Sequence, residues 1–259
     1  MKKLFIVLSS IAVFTSCKKE SPTNAATTTV TPTSPVSKKL TKATYVYASY
    51  APEYTDYSYD AQGRVSSIKD DGSSYSFNYQ SSSSLVITER LLSDNSFVEN
   101  EECELNSNGY VTKMSFKDAA GNTRFVMTYT YNADGYITNA KGFYANGTTY
   151  ETVYTIVDGN TVSSKLYYDN VLNSTNEYTY DNSKLNKMPF CYSGYWQTYD
   201  LYGKRGKNLL VDSKSFDTSM NLTWHVQFTN EVDADGYLIK QSTNNLLNGK
   251  QGVNTFICQ

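Results

Sequence analysis

The pattern Tyr-x-Tyr-Asp/Asn-x-x-Gly-x-aliphatic occurs twice in this chain, at residues 57–65 and 129–137. Looser copies run over 103–111 and 232–238. Alternating side chains before a four-residue turn, with an aliphatic residue after it, describe a β-hairpin. The Asp or Asn caps a type I turn, and the Gly takes the left-handed position of a bulge, where any Cβ would be strained. This geometry predicts that Tyr59 faces Val65, Leu105 faces Val111 and Tyr131 faces Ile137 across their hairpins. Tyr57 and Tyr129 share that face, because strand side chains alternate with period two.

Further breaks fall at 70–72, 81–84, 94–95, 119–121, 146–147, 158–159, 169–170 and 181–183. Successive breaks lie about 12 residues apart, the spacing of all-β structure. The runs between them are rich in Tyr, Thr, Val and Phe, and Tyr alone supplies 24 residues, so helix is expected to be rare. Hairpin units ending at Tyr79, Leu105, Tyr131, Ile156 and Tyr180 are separated by 26, 26, 25 and 24 residues. A period this regular means that each unit buries its face against its neighbours. The expected fold is all-β: an antiparallel up-and-down meander of repeated β-hairpins, about 14–18 strands, curled by strand twist into an open sheet, half-barrel or spiral.

The N-terminus supplies an address. Lys2 and Lys3 precede an apolar run over 4–14 that is too short to span a bilayer as a helix, which marks residues 1–16 as an export signal. Phe14-Thr15-Ser16-Cys17 resembles a lipobox, the site cut by signal peptidase II. The resemblance implies a mature protein lipidated on Cys17, held stably at the outer membrane by more than one acyl chain. Residues 17–42 carry Lys, Ser, Thr and Pro with little to bury, and read as a disordered tether reaching roughly 25–30 Å. Lys18-Lys19-Glu20 resembles the export tags of Bacteroidota surface lipoproteins but has one acidic residue, which leaves cell-surface and periplasmic display both open.

Residues 43–259 form a single β-repeat domain whose period breaks at 189–227. Tyr192, Tyr195, Trp196, Tyr199 and Tyr202 crowd into that break, and Trp224 follows; these are the candidate binding residues, since aromatic segments grafted on a rigid scaffold often carry recognition. The same rings could instead fill the concave face of the sheet. Cys191 and Cys258 are the pair expected to form a disulfide in an exported chain, leaving Cys103 free.

Chemistry is sparse. His225 is the single histidine, and it sits in the alternating run Trp224-His225-Val226, as an ordinary strand residue would. Asp233-Ala234-Asp235-Gly236 lacks the third ligand and distal Glu of a calcium loop and reads as a hairpin turn. No cysteine or histidine cluster suggests zinc, and no cofactor is expected. A net charge of −2 argues against nucleic acid as a partner. The strands carry Ser, Thr, Asn and charge on the faces that lipid would need to be apolar, which argues against a transmembrane barrel.

The hairpin motifs at 57–65 and 129–137 resemble the YD repeats of Rhs and teneurin-type proteins. The resemblance covers roughly 43–188 and returns at 228–241. A nearer likeness is to single-domain lipoproteins of the Bacteroidota that carry such hairpins, and it implies location and fold. Three functions fit: a non-catalytic envelope lipoprotein binding glycan or a protein partner through an aromatic-rich face, a structural envelope component, or a glycan-processing enzyme with two carboxylates converging in a cleft.

Overall fold

The computed structural model describes residues 38–188 and 201–259. Its regular structure is strand throughout. The first half runs β1 (Leu40–Tyr47), β2 (Glu53–Tyr59), β3 (Val65–Lys69), β4 (Ser73–Ser81), β5 (Ser84–Leu91), β6 (Phe97–Leu105), β7 (Val111–Lys117) and β8 (Thr123–Tyr131). The second runs β9 (Ile137–Tyr144), β10 (Thr149–Val157), β11 (Asn160–Tyr168), β12 (Val171–Leu185), β13 (Asn208–Phe216), β14 (Leu222–Val232), β15 (Leu238–Asn245) and β16 (Gln251–Cys258). Every strand pairs antiparallel with its chain neighbours, and β1 pairs with β16 in register from Lys42↔Ile257 to Tyr47↔Gly252. The meander thus closes into a barrel, and closure leaves no unpaired edge.

The hairpin geometry read from the motifs holds. Tyr59 pairs with Val65, Leu105 with Val111 and Tyr131 with Ile137, each beside a register shift. Gly63, Gly109, Gly135 and Gly236 all have φ between 79° and 87°. Asp60 Oδ1 accepts from the amides of Gln62 and Arg64, and Asn106 Oδ1 from those of Asn108 and Tyr110. The turn at 233–236 is built the same way, with Asp233 Oδ1 accepting from Asp235 and Tyr237.

The segment expected to be irregular over 189–227 is shorter than that. Residues 208–216 form β13, and β14 begins at Leu222. The Asp217 turn between them is another Asx-capped hairpin, in which Met220 rather than Gly takes the left-handed conformation at φ 63°. The missing Gly hid a regular hairpin.

Turns that follow even-numbered strands lie at one end of the barrel, together with Lys39 and Gln259, whose backbones bond to each other. The described part of the segment joining β12 to β13 also packs at this insertion end. Leu201 accepts a bond from the Val111 amide at 2.7 Å, and the Lys204 amide donates to Gly135. Tyr202, 4 % exposed, lies with Leu201 among Leu85, Cys103, Met114 and Tyr129. Met188 enters a second cluster with Leu40, Tyr57, Val65, Leu238 and Phe256. The lumen at this end is an apolar core.

Outward positions are of another kind. Lys113 pairs with Glu104 at 2.8 Å, Lys117 with Glu102 at 2.6 Å and Lys240 with Glu231 at 2.6 Å. Lys141, Glu151, Lys165 and Glu177 stand mid-strand, next to inward residues such as Ala140 and Ser164. Each basic residue in such a place would cost about 2–4 kcal/mol at the centre of a bilayer. This wall is built to face water.

Candidate functional site

The turns that follow odd-numbered strands form the other end, and there inward side chains meet solvent. Tyr144 and Tyr168 point inward and are each 46 % exposed, and Trp224 is 42 % exposed. The lumen therefore opens at this mouth. Strand alternation places the rings; a glycine makes room for them. On β9, an added Cβ at Gly142 would lie 2.4 Å from the Tyr150 ring and 2.6 Å from that of Phe125. Its absence lets Phe125 stack on Tyr150 with centroids 5.6 Å apart, meet Tyr144 at 4.4 Å, and continue through Tyr150 to Tyr168 at 6.4 Å. A glycine inside a strand marks close approach of other groups, and this was the one signal in the sequence for the aromatic wall.

Carboxylates adjoin the rings. Glu89 on β5 lies directly opposite Glu99 on β6, and Glu101 lies opposite Phe116, which in turn faces Phe125. A single row across β6–β9 thus reads Glu101, Phe116, Phe125, Tyr144. Ser73 Oγ donates to Glu89 Oε1 at 2.7 Å, and Tyr75 donates to the same oxygen at 3.3 Å. Arg124 on β8 forms an ion pair with Glu99. Glu101 is 4 % exposed. Burial, then the charges of Glu99 and Glu89, push the Glu101 carboxyl up to about 8. Burial also raises Glu99, offset in part by Arg124. One cluster therefore holds a protonated carboxyl beside ion-paired and hydrogen-bonded carboxylates, next to flat apolar rings. Among the described residues no grouping of His, Cys, Asp and Glu is arranged to hold a metal.

The residues singled out in the sequence are dispersed. Tyr202 is interior packing at the insertion end, with its ring 5.0 Å from that of Tyr129 and its hydroxyl on Met114 Sδ. Trp224 stands at the mouth, at the opposite end. The structure thus does not join them in one face, because the β13–β14 hairpin carries Trp224 across the barrel's length. Tyr192, Tyr195, Trp196 and Tyr199 lie outside the described residues, as do Cys17 and Cys191. Cys103 and Cys258 are free thiols. His225 bonds Asp212 at 2.7 Å on the outer wall, away from the lumen. The Asp233–Gly236 turn holds Lys38 through Asp233 and Asp235. The carboxylates were not legible in advance, because Glu89, Glu99 and Glu101 meet only through strand register.

Fold and mouth together define a closed sixteen-stranded meander barrel with a core-filled insertion end and, at the other, solvent-exposed rings beside a buried acidic cluster. No protein-family model matches the chain, and neither does any curated protein. Among solved structures, the chain resembles a porin-like protein from Bacteroides uniformis ATCC 8492, at 14% identity and a TM-score of 0.64, over 85% of this chain and 96% of the other. A porin-like protein from Bacteroides vulgatus ATCC 8482 matches at 12% identity and a TM-score of 0.62, over 85% and 98%. At these identities the likeness is one of fold. The charged outer wall separates this barrel from one that lipid surrounds.

Proposed function

We propose that the protein is a membrane-anchored envelope lipoprotein, non-catalytic, that binds glycan in the mouth of its barrel. The solvent-exposed rings Tyr144, Tyr168 and Trp224 at the mouth carry this reading. Flat rings cover the C–H faces of sugars, so exposed rings grouped at an open mouth suit a saccharide. The lipobox-like Cys17 supports anchoring at the outer membrane, and the water-facing wall agrees with a barrel held beside the bilayer by a tether. YD-repeat ancestry remains part of the proposal, resting on the hairpin motifs.

Affinity electrophoresis tests it. The chain from residue 17, carrying Cys17→Ser, would be run through gels containing plant, host and microbial polysaccharides. Retardation by one glycan, abolished by Tyr144→Ala with Tyr168→Ala, is the expected result. Mobility unchanged in every gel would reject glycan binding and favour contact with an envelope protein, for which Leu91, Leu92, Leu246 and Leu247 stand exposed around the mouth.

The juxtaposition of Glu99 with protonated Glu101 also favours a second reading, glycan processing by paired carboxylates. Release of reducing ends from the retarding glycan, lost in Glu101→Gln, would establish it.

A further inference from the structure

Cross-strand pairing sets Ser164 on β11, Asn176 on β12, Ser215 on β13 and Trp224 on β14 in one row. Buried Ser164 at one end, and buried Val226 two residues beyond Trp224, fix the row on the lumen face. Three strand spacings make it about 14 Å long, enough for more than one sugar ring. Asn176 Nδ2 donates to Ser164 Oγ at 3.1 Å, and Asn176 Oδ1 accepts from Ser215 Oγ, so the amide is held in one orientation. Accessibility rises along the row. Ser164 is 2 % exposed, Asn176 and Ser215 are half-buried, and Trp224 is 42 % exposed at the mouth. An amide has a second N–H donor and a hydroxyl has further lone pairs, which suit a sugar hydroxyl that both donates and accepts.

The charged neighbours of these residues alternate outward. Glu177, Lys214 and His225 form the adjoining row, on the outer wall, where Asp212 bonds His225. At the rim, Asp169 accepts from the Thr149 amide, and Asp217 from the amides of its own turn. Along the strands from Tyr168 to Trp224, the lumen wall therefore presents amide, hydroxyl and ring, and among the described residues no charge.

We propose that this row is a saccharide subsite selective for an uncharged glycan. The Trp224 indole covers one sugar ring, and Asn176 and Ser215 bond the hydroxyls of the next. The inference rests on the reading of the mouth as a glycan site and adds the class of glycan. A uronate or sulfate brought against this wall would lose water without meeting a cation, and an ammonium group would lose it without meeting a carboxylate. Neutral hydroxyls meet their partners and avoid that cost.

The test runs the chain from residue 17 with Cys17→Ser through gels containing neutral glucans, mannans and xylans, the anionic polymers polygalacturonate and chondroitin sulfate, and cationic chitosan. Retardation confined to neutral polymers is expected, weakened about tenfold by Asn176→Ala with Ser215→Ala and at least as much by Trp224→Ala. Gln227→Ala, on the outer face of the same β14, should run as the parent does. Each variant is read alongside its melting temperature. Should the Asn176 and Ser215 pair fail to fold, Ser215→Ala alone, which removes one half-buried hydroxyl, decides together with Trp224→Ala. Retardation by a charged polymer that Tyr144→Ala with Tyr168→Ala abolishes would overturn this inference and leave the mouth as a glycan site. Neutral retardation that survives the Asn176, Ser215 and Trp224 substitutions would do the same. Unchanged mobility in every gel would overturn both readings.

Discussion

Tyr131 on β8 donates its hydroxyl to the Val111 carbonyl at the start of β7, at 2.6 Å, while the Val111 amide donates to Leu201 in the inserted segment. The same bond recurs from Tyr59 to Leu40 at 2.7 Å and from Tyr180 to Thr161 at 2.9 Å. In each case a tyrosine near the motif turn reaches the first residues of the preceding strand. That recurrence explains why the motif carries Tyr rather than Phe. Removing the hydroxyl in Tyr131→Phe should cost about 1 kcal/mol, since a half-buried carbonyl loses its partner. Tyr59→Phe and Tyr180→Phe, at separate places around the barrel, should add to it in denaturant melts.

Tyr202 is the larger element of the same packing. Tyr202→Ala empties space among Met114, Tyr129 and Leu201, and should destabilise by about 3–5 kcal/mol. Faster hydrogen exchange of the Val111 amide, whose acceptor is the neighbouring Leu201 carbonyl, is the local readout.

Gly142→Ala should disrupt the mouth. The new methyl would meet the Tyr150 and Phe125 rings at under 3 Å, and the strand backbone gives it no room to retreat. A loss of about 1–3 kcal/mol is expected, with a weakened near-ultraviolet aromatic signal and weaker retardation by any bound glycan. Retained signal and retention together would contradict the close-packed wall.

Glu101 makes stability depend on pH. Its carboxyl titrates near 8 in the fold, against an ordinary value of 4.5. Between these values the unfolded chain has released this proton and the folded chain still holds it, so this group's contribution to stability falls as pH rises through that window. It is complete below about 4.5 and lost above about 8. Glu101→Gln should flatten the decline and raise the melting temperature at pH 9 relative to the parent. At the acid end the opposite sign applies to Asp118, which the Asn122 amide holds below its usual range and which weakens the fold when protonated.

The outer wall predicts behaviour in solution. The chain from residue 17 with Cys17→Ser should purify without detergent and bind none in quantity, unlike a barrel with an apolar belt. Analytical ultracentrifugation with and without detergent reads this directly.

Strand and turn were legible in the residues because both are local. Asp60, Asn106, Asn132 and Asp233 cap their own turns, Gly63 and Gly135 hold φ values that a side chain would strain, and Tyr57 and Tyr59 alternate onto one face whatever surrounds them. Where the local signal was missing, as at Met220, a regular hairpin was read as irregular chain. The long-range arrangement was decided elsewhere. Closure depends on accumulated twist bringing β1 to β16, which no single hairpin contains. Whether Tyr202 binds a ligand or fills the lumen depends on which strands surround it, and Glu89, Glu99 and Glu101 become one site only through the register of β5 on β6. Hairpin chemistry acts over a few residues, whereas a lumen is a property of all sixteen strands once the sheet has closed.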